Sequence, residues 1–533
     1  MCKASFFNTL FWFLYRSIFR KPRGFHINLS NIHANQFKYQ RYHSDLALRS
    51  DLSGQTLMFD VEGALLKSSS LFPFFMLVAF EAGNFLRAIF LVLLYPVICL
   101  VGRQMGLQIM VMVCFCGIKR ESFRAGKIVL PKFFLEDVGS EIFAVLRSGG
   151  RKVGVSELPR VMVEGFLMDY LEIDNVIGRE LKSFHGYFVG LMEEKKDVSG
   201  LEEIFEEDQV GPNMIGITGL HKVIDHHFFS HCKEIYLVGE ADKKSWQNLT
   251  REKYPKPLIF HDGRLALLPT PLDALAIFTW SPFGYILAIF RILISNTLPT
   301  KISTPLNAFS GMRLTVTLPK SSYSDHQGTA SEEHKSKGVL YVCNHRTLLD
   351  PLYLSVALDK SLTGVSYSLS RISEMLSPIK TCRLTRNRDE DARMIDSLLN
   401  EADVVICAEG TTCRESYLLR FSPLFTELGD VIVPVALDSH VTMFYGTTAS
   451  GLKCLDPFFF LMNPAPQYTV QLLEKVCGLS TSQYNGDQKS KFDVANHVQS
   501  EIGKALGFEC TKLTRRDKYL ILAGNEGTVG GKP

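Results

Sequence analysis

The stretch from Gly338 to Pro351 constrains this chain more than any other. Gly338-Val339-Leu340-Tyr341-Val342 is an apolar, β-branched and aromatic run of strand length, and Asp350-Pro351 reads as a helix N-cap followed by proline at the first helical position. A strand therefore ends and a helix begins within a few residues, with His345 of Cys343-Asn344-His345-Arg346-Thr347 in the turn between them. On one uninterrupted helix, positions five apart stand roughly 140° from each other around the axis, so His345 and Asp350 meet only if the turn brings them together. Two readings fit the pair by itself: a polar loop residue beside a cap, or a histidine oriented by a carboxylate for proton transfer.

The same rhythm recurs towards the C-terminus. Asp403 to Ala408 is an apolar strand, and Glu409-Gly410-Thr411-Thr412-Cys413-Arg414-Glu415 is the turn after it. Gly410 permits close backbone approach, the hydroxyls of Thr411 and Thr412 suit an anion together with backbone N–H groups, and Arg414 adds charge. Val431 to Leu437, which contains Pro434, is a further apolar strand. Recurrent strand, turn and helix predict an α/β sheet with its site at the strand ends. Between these units, Ser366 to Leu376 carries Arg371, and Thr381 to Asp389 carries Arg383, Arg386 and Arg388. Guanidinium forks match pairs of phosphate oxygens, so this segment reads as a site for a dianion or as a solvated charged loop.

The 533 residues leave room for two or three domains. A net charge of +3 gives no reason to expect nucleic acid, whereas an apolar fraction of 46% with 38 Phe leans towards a membrane. The 12 cysteines follow neither metal-ligand nor disulfide-framework spacing, which implies reduced thiols facing the cytosol. Met1 to Ser44 contains no acidic residue, and its aromatic run Phe6 to Tyr15 precedes basic residues between Arg16 and Arg23. An interfacial membrane anchor and an organellar transit peptide both fit, and the anchor is preferred.

Three apolar runs, Leu71 to Ala82, Phe85 to Val101 and Met105 to Ile118, suggest two membrane passes or a re-entrant hairpin, with a helical cap as the alternative. Ala274 to Leu298 is also apolar, but Pro282 and Gly284 predict a kinked, half-inserted helix. Ser321 to Lys337 is polar and reads as a loop.

Thr56 to Leu66 is an apolar strand running into the acidic turn Asp60-Val61-Glu62-Gly63. It resembles the first motif of haloacid-dehalogenase-type phosphatases, Asp-x-Asp-Gly, in which the first carboxylate attacks phosphorus and the second serves as acid and base beside Mg²⁺. Here Glu62 holds the second place, and its extra methylene moves the carboxyl by about an ångström, a misplacement that can cost on the order of a hundredfold. Lys152 to Pro159 looks like the second motif, with Ser156 at the hydroxyl position, and Lys222 falls near the place of the phosphate-binding lysine. In the best match to the acidic third motif, Gly239-Glu240-Ala241-Asp242-Lys243-Lys244-Ser245, Glu240 replaces Asp and no carboxylate stands at Lys244 or Ser245. A phosphatase fold without phosphatase activity is expected. His226, His227, His231 and Cys232 are of metal-binding type but lack a partner pair at ligand spacing, so no metal site is expected.

Asn344-His345-x₄-Asp350, the arginine segment, Glu409-Gly410-Thr411 and the Val433-Pro434 strand resemble, in order and spacing, the four blocks of the glycerolipid acyltransferases. With the degenerate phosphatase domain upstream, the chain from about Phe59 to Asn525 is similar to the land-plant glycerol-3-phosphate acyltransferases linked to cutin, suberin and anther lipids. The resemblance implies an α/β protein with a haloacid-dehalogenase-like Rossmannoid domain carrying a membrane-associated helical insertion, followed by a glycerolipid-acyltransferase α/β domain. It implies catalysis by His345 and Asp350, and substrate binding by Arg346, Arg371, Arg383, Arg386, Arg388, Glu409, Gly410, Thr411, Thr412, Arg414 and Pro434. It further implies acyl-CoA as co-substrate, glycerol-3-phosphate as acceptor at the sn-2 hydroxyl, no cofactor or metal, membrane lipid as surroundings, and lysophosphatidic acid as product. The endoplasmic reticulum membrane with a cytosolic site is expected ahead of a mitochondrial membrane. The expected organisation is an arm over 1–50, a phosphatase-like domain over 51–260, a membrane-associated helical linker over 261–320, an acyltransferase domain over 321–525 and a tail over 526–533.

Overall fold

The computed structural model describes residues 39–193, 213–220, 229, 231–256, 260–319, 338–367, 374, 377–428, 431–449, 451–477 and 490–523. Nearly all of the basic arm, Lys222, His226, His227, Arg371 and the polar loop 321–337 lie outside the described residues. The chain divides into two compact units, one of 1–261 with 268–276 and one of 262–267 with 277–533.

The first unit is built on a parallel sheet whose strands run, in spatial order, Tyr39–Arg41, Glu234–Val238, Met214–Gly219, Thr56–Asp60, Lys152–Pro159 and Asn175–Arg179. Thr56–Asp60 is central and buried, as a parallel strand covered on both faces must be. Its C-terminal end delivers Asp60 and the turn Val61–Leu65. Cys232 lies in the apolar core beside Met58 and Phe229, so its thiol serves packing.

The apolar insertion folds as Phe72–Val78, Phe85–Leu100 and Arg103–Phe115. Each of these helices is shorter than the roughly 20 residues needed to cross a bilayer, and Phe72–Val78 is buried throughout. Gly83-Asn84 and Gly102 break the run: Asn84 caps the second helix through Arg87 N, and Gly102 takes the left-handed φ of 80°. None of the three helices is long enough for a full pass, which leaves the re-entrant hairpin and the helical cap of the sequence reading. The second helix exposes Leu86, Phe90 and Leu93.

The second unit contains a sheet in the order Lys380–Arg383, Leu362–Ser366, Asp403–Cys407, Leu340–Cys343, Val431–His440, Gln467–Leu472 and Arg313–Thr317. The five strands from Lys380–Arg383 to Val431–His440 pair in parallel, Gln467–Leu472 joins antiparallel, and Val476–Cys477 also pairs with Val431–His440. One core under the sheet joins Leu340, Val342 and Val404 to Ile395, Val494, Val498 and Ile502 of the helices Arg388–Glu401 and Lys491–Leu506. Leu340–Cys343 lies between Asp403–Cys407 and Val431–His440, which brings two later sequence blocks alongside the His345 turn.

Most of the stretch expected as a linker, 262–267 and 277–320, falls in this unit, while 268–276 falls in the first. Arg313–Thr317 pairs in parallel with Gln467–Gln471. Pro271–Thr297 runs as one helix through Pro282 and Gly284, where the sequence predicts a kink, and it is the one described helix long and apolar enough to cross a membrane. Within it Arg291 is fully buried and donates to the carbonyls of Leu461, Asn463, Ser310 and Pro464 and to the Ser310 hydroxyl. Trp280 Nε1 donates to Met462 O at 2.8 Å. Gly284 is needed there, because a Cβ would stand 2.9 Å from that carbonyl. The opposite face exposes Phe283, Ile286, Phe290 and Leu293.

Candidate active site

At the C-terminal end of Leu340–Cys343 the chain turns through Asn344, whose buried amide donates to Leu437 O at 2.9 Å and accepts from Leu437 N at 2.8 Å. Both hydrogen bonds go to the neighbouring strand, so the turn cannot slide along the sheet. His345 comes next, and both of its peptide groups are held: its N–H donates to Glu409 Oε1 at 2.7 Å, and its carbonyl accepts from Cys413 N at 2.6 Å. Glu409 Oε2 accepts from Leu419 N at 2.9 Å.

His345 Nδ1 and Asp350 Oδ2 are 2.7 Å apart. The same oxygen accepts from Arg346 N at 2.7 Å, and Oδ1 accepts from Thr347 N at 3.0 Å, from the Thr347 hydroxyl, and from the Tyr468 hydroxyl in a short contact. Leu349 is the residue before the helix and Asp350 its first member, so the carboxylate folds back onto the turn where the sequence suggested a forward N-cap. That is how residues five apart meet. A carboxylate surrounded by donors can only accept, which places the imidazole proton on Nδ1 and leaves Nε2 as the basic nitrogen.

The ring is 15% exposed and lines a cavity of about 1260 Å³ that lies within the second unit. That volume exceeds the usual range for a compact small ligand and suits an extended one. Leu348, Leu352, Val356, Ile379, Leu384 and Phe425 supply apolar wall; Thr411, Thr412, Lys453, Arg515 and Tyr519 supply polar wall. The Cys407 sulfur lies within 4.8 Å of the His345 and Asp350 donor atoms, and 3.6 Å from Cys343 Sγ. Burial opposes charging His345, but the Asp350 carboxylate hydrogen-bonded to Nδ1 outweighs it and raises its pKa above the ordinary 6.5. The Cys343 contact and burial raise Cys407 well above the usual thiol range, so the lasting negative charge beside the ring is that of Asp350. Glu409 is pushed up to about 7 by burial, against the opposing pull of the His345 and Leu419 amides.

The expected binding residues separate into two groups. Gly410, Thr411 and Thr412 line the cavity. Gly410 has φ 67°, and open space where a Cβ would stand, so glycine is required for conformation and close approach plays no part. Among the described residues the others do not line it, and Arg371 lies outside the described residues. Arg346 donates to the carbonyls of Cys413 and Glu415, pairs with Asp438 at 3.0 Å and covers the Phe508 ring. Arg414 donates to Gly263 O and Thr447 O and stacks on Tyr445. Both guanidiniums tie loops together. Glu409 positions His345 through the backbone, and Pro434 sits in mid-sheet opposite Val342. Arg388 pairs with Glu427 on the surface, and Arg383 and Arg386 are exposed. No sequence signal points to Tyr468, 118 positions from Asp350, nor to Lys453, Arg515 and Tyr519, which lie outside every recognisable block.

The acidic turn of the first unit is occupied by its own neighbours. Asp60 accepts from Gly63 N at 2.8 Å and from the Thr218 hydroxyl at 3.3 Å. Glu62 accepts from the Ser156 hydroxyl and from Glu157 N. Asp242 caps Gly239 N at 2.9 Å and pairs with Arg41, while Glu240 is exposed. The buried Lys243 donates to the Glu62 carbonyl at 2.8 Å. An ammonium seated on the turn repels the divalent cation that the fold's phosphatase chemistry requires, so these residues do not fit Mg²⁺.

A histidine held by a carboxylate at the strand ends of an α/β sheet, on the wall of a large and mostly apolar cavity, is the general-base arrangement an acyltransferase needs. The comparisons identify which kind. Residues 56–238 match the family model described as glycerol-3-phosphate acyltransferase RAM2-like, HAD-like domain, and residues 324–438 match the acyltransferase model. The chain is 55% identical to probable glycerol-3-phosphate acyltransferase 2 and 56% identical to probable glycerol-3-phosphate acyltransferase 3, both of Arabidopsis thaliana, over 99% of each chain. It is 41% identical to glycerol-3-phosphate acyltransferase RAM2 of Petunia hybrida over 89% of this chain and 98% of that protein. The chain belongs to the plant glycerol-3-phosphate acyltransferase family.

Proposed function

We propose that this enzyme transfers a fatty acyl group from acyl-CoA to the sn-2 hydroxyl of glycerol-3-phosphate and releases 2-acyl lysophosphatidic acid with its phosphate retained. The observation that carries the reading is the 2.7 Å contact between His345 Nδ1 and Asp350 Oδ2 on the wall of the large cavity. His345 Nε2 takes the proton of the glycerol hydroxyl as its oxygen attacks the thioester carbonyl. Asp350 stabilises the imidazolium that forms. When the tetrahedral intermediate collapses, the C–S bond breaks and the imidazolium returns the proton to the CoA sulfur. The residues of the site supply this chemistry without a cofactor or metal.

The exposed stripe of Phe283, Ile286, Phe290 and Leu293 supports contact with membrane lipid along the helix flank, while Arg291 keeps the opposite flank on the protein. The surroundings we assign are the endoplasmic reticulum membrane with the site towards the cytosol, with the mitochondrial membrane as the alternative. No nucleic-acid partner is assigned, and Lys243 is the reason for assigning no Mg²⁺-dependent phosphatase step.

The test supplies membranes bearing the full chain with labelled acyl-CoA and glycerol-3-phosphate, with and without Mg²⁺, and resolves the positional isomers. The reading predicts 2-acyl lysophosphatidic acid and no Mg²⁺-dependent phosphate release. A mainly 1-acyl product overturns the regiochemistry, and monoacylglycerol as main product overturns the loss of phosphatase activity.

A further inference from the structure

We propose that Lys453 and Arg515, together with the Tyr519 hydroxyl and Thr411, form the subsite that holds the phosphate of the acceptor, a role outside the four sequence blocks. The proposal rests on the reading of the acceptor as glycerol-3-phosphate. A phosphate dianion placed beside His345 needs cationic donors reaching into the same cavity. Among the described residues, the arginines expected to supply them, Arg346, Arg383, Arg386, Arg388 and Arg414, do not line it. Lys453 and Arg515 do, both half-buried, and among the described residues neither forms an ion pair with a carboxylate. The other cations on the wall are less suited: Lys360 is paired with Asp403, and Arg313 and Lys380 are exposed.

The geometry links these groups to the catalytic turn. Lys453 Nζ donates to the Tyr519 hydroxyl at 2.8 Å, and that oxygen lies 3.4 Å from Thr411 Oγ1. Lys453 Nζ and the Arg515 guanidinium stand 5.4 and 5.6 Å from the centre of the Tyr519 ring. Thr411 belongs to the turn whose Glu409 and Cys413 hold the two peptide groups of His345. Lys518 Nζ donates to the Thr412 carbonyl in a short contact, which fixes the helix Arg515–Ala523 against that turn. An ammonium, a guanidinium and two hydroxyls thus gather on the wall of the cavity that His345 also lines, where they can meet the phosphate of an acceptor whose hydroxyl faces the histidine. The phosphate then orients the hydroxyl towards His345.

Acyl-CoA also carries phosphates, and steady-state kinetics on purified full-length protein in detergent distinguish the two sources. Lys453→Met and Arg515→Met are each expected to raise KM for glycerol-3-phosphate by about tenfold to a hundredfold, the loss expected on removing one charged hydrogen bond, with KM for acyl-CoA within about twofold. Lys453→Arg should recover most of the loss. Thermal unfolding supplies a second readout: glycerol-3-phosphate raises Tm of the wild type, and at the same concentration raises it less in each Met variant, independently of turnover. An increase confined to KM for acyl-CoA assigns the cations to the CoA phosphates and overturns the proposal, as do unchanged KM and Tm responses in both variants. Absence of any transfer to glycerol-3-phosphate by the wild type overturns the functional reading itself.

Discussion

Replacing Asp350 with Asn tests the catalytic geometry with almost no change of shape. The carboxylate accepts on both oxygens, from the His345 ring and Arg346 N on Oδ2 and from Thr347 N and the Tyr468 hydroxyl on Oδ1. A carboxamide has one accepting oxygen, so in either orientation its NH₂ group meets a backbone N–H that lies buried and cannot turn away. Leaving that donor unsatisfied costs about 1–3 kcal/mol of stability. If the NH₂ faces the ring, it forces the proton onto Nε2 and removes the base. If the oxygen faces the ring, the tautomer survives but the charge that stabilises the imidazolium is gone. Both outcomes lower kcat, by on the order of a hundredfold to ten-thousandfold. The pH profile carries the decisive sign. His345 has a raised pKa, so the acidic limb of kcat/KM for the wild type lies above the ordinary histidine value, and activity climbs as the ring loses its proton. Without the Asp350 charge the limb moves to lower pH even as the maximum falls. Initial rates of thioester consumption across pH, with thermal unfolding alongside, measure both effects. A kcat within about threefold of wild type, or a limb that stays in place, refutes the orientation and charge assigned to Asp350.

Three further expectations concern the scaffold. Glu409 is raised to about 7 from 4.5, so the folded state binds its proton more tightly than the unfolded chain, and its contribution to stability declines as pH rises between those values; the difference in unfolding free energy between wild type and Glu409→Gln should show that slope. Arg291→Leu leaves four carbonyls without their donor, and should lower the unfolding free energy by about 3 kcal/mol or more, read as a drop in Tm of the detergent-solubilised protein. Phe283→Asp with Ile286→Glu places two charges on the exposed stripe and should shift the protein from membrane to soluble fractions in vesicle flotation, while Tm changes little because neither side chain packs inside.

Local chemistry makes the centre of the site legible. The run from Leu340 to Pro351 contains its own strand end, turn and helix start, and every backbone group needed to fold Asp350 back onto His345 lies within six residues. Apolar runs likewise disclose central strands of both sheets, Thr56–Asp60, Lys152–Pro159, Leu340–Cys343, Asp403–Cys407 and Val431–His440, whereas outer strands such as Lys380–Arg383 and Arg313–Thr317 carry no such run. Arginine is the residue type that misleads, because its fork serves a carbonyl pair as well as a phosphate, and sequence does not record which of the two it faces. Arg346 and Arg414 lie in the correct blocks and direct their donors to loop carbonyls. Conversely, Lys453 and Tyr519 gain meaning only through a fold that places residues 66 positions apart within hydrogen-bonding distance. The insertion is ambiguous in sequence for a related reason: hydrophobicity alone does not distinguish Phe72–Val78, whose apolar surface is covered by protein, from Phe85–Leu100, which exposes Leu86, Phe90 and Leu93.

The central claim is that the base at His345 performs acyl transfer to glycerol-3-phosphate. Its most direct test is the rate of labelled lysophosphatidic acid formation from acyl-CoA and glycerol-3-phosphate by wild type and His345→Ala, in membranes matched for protein. General-base catalysis by this ring predicts measurable transfer by the wild type and a fall of at least about a hundredfold in the variant; a variant rate within about threefold of wild type would contradict it.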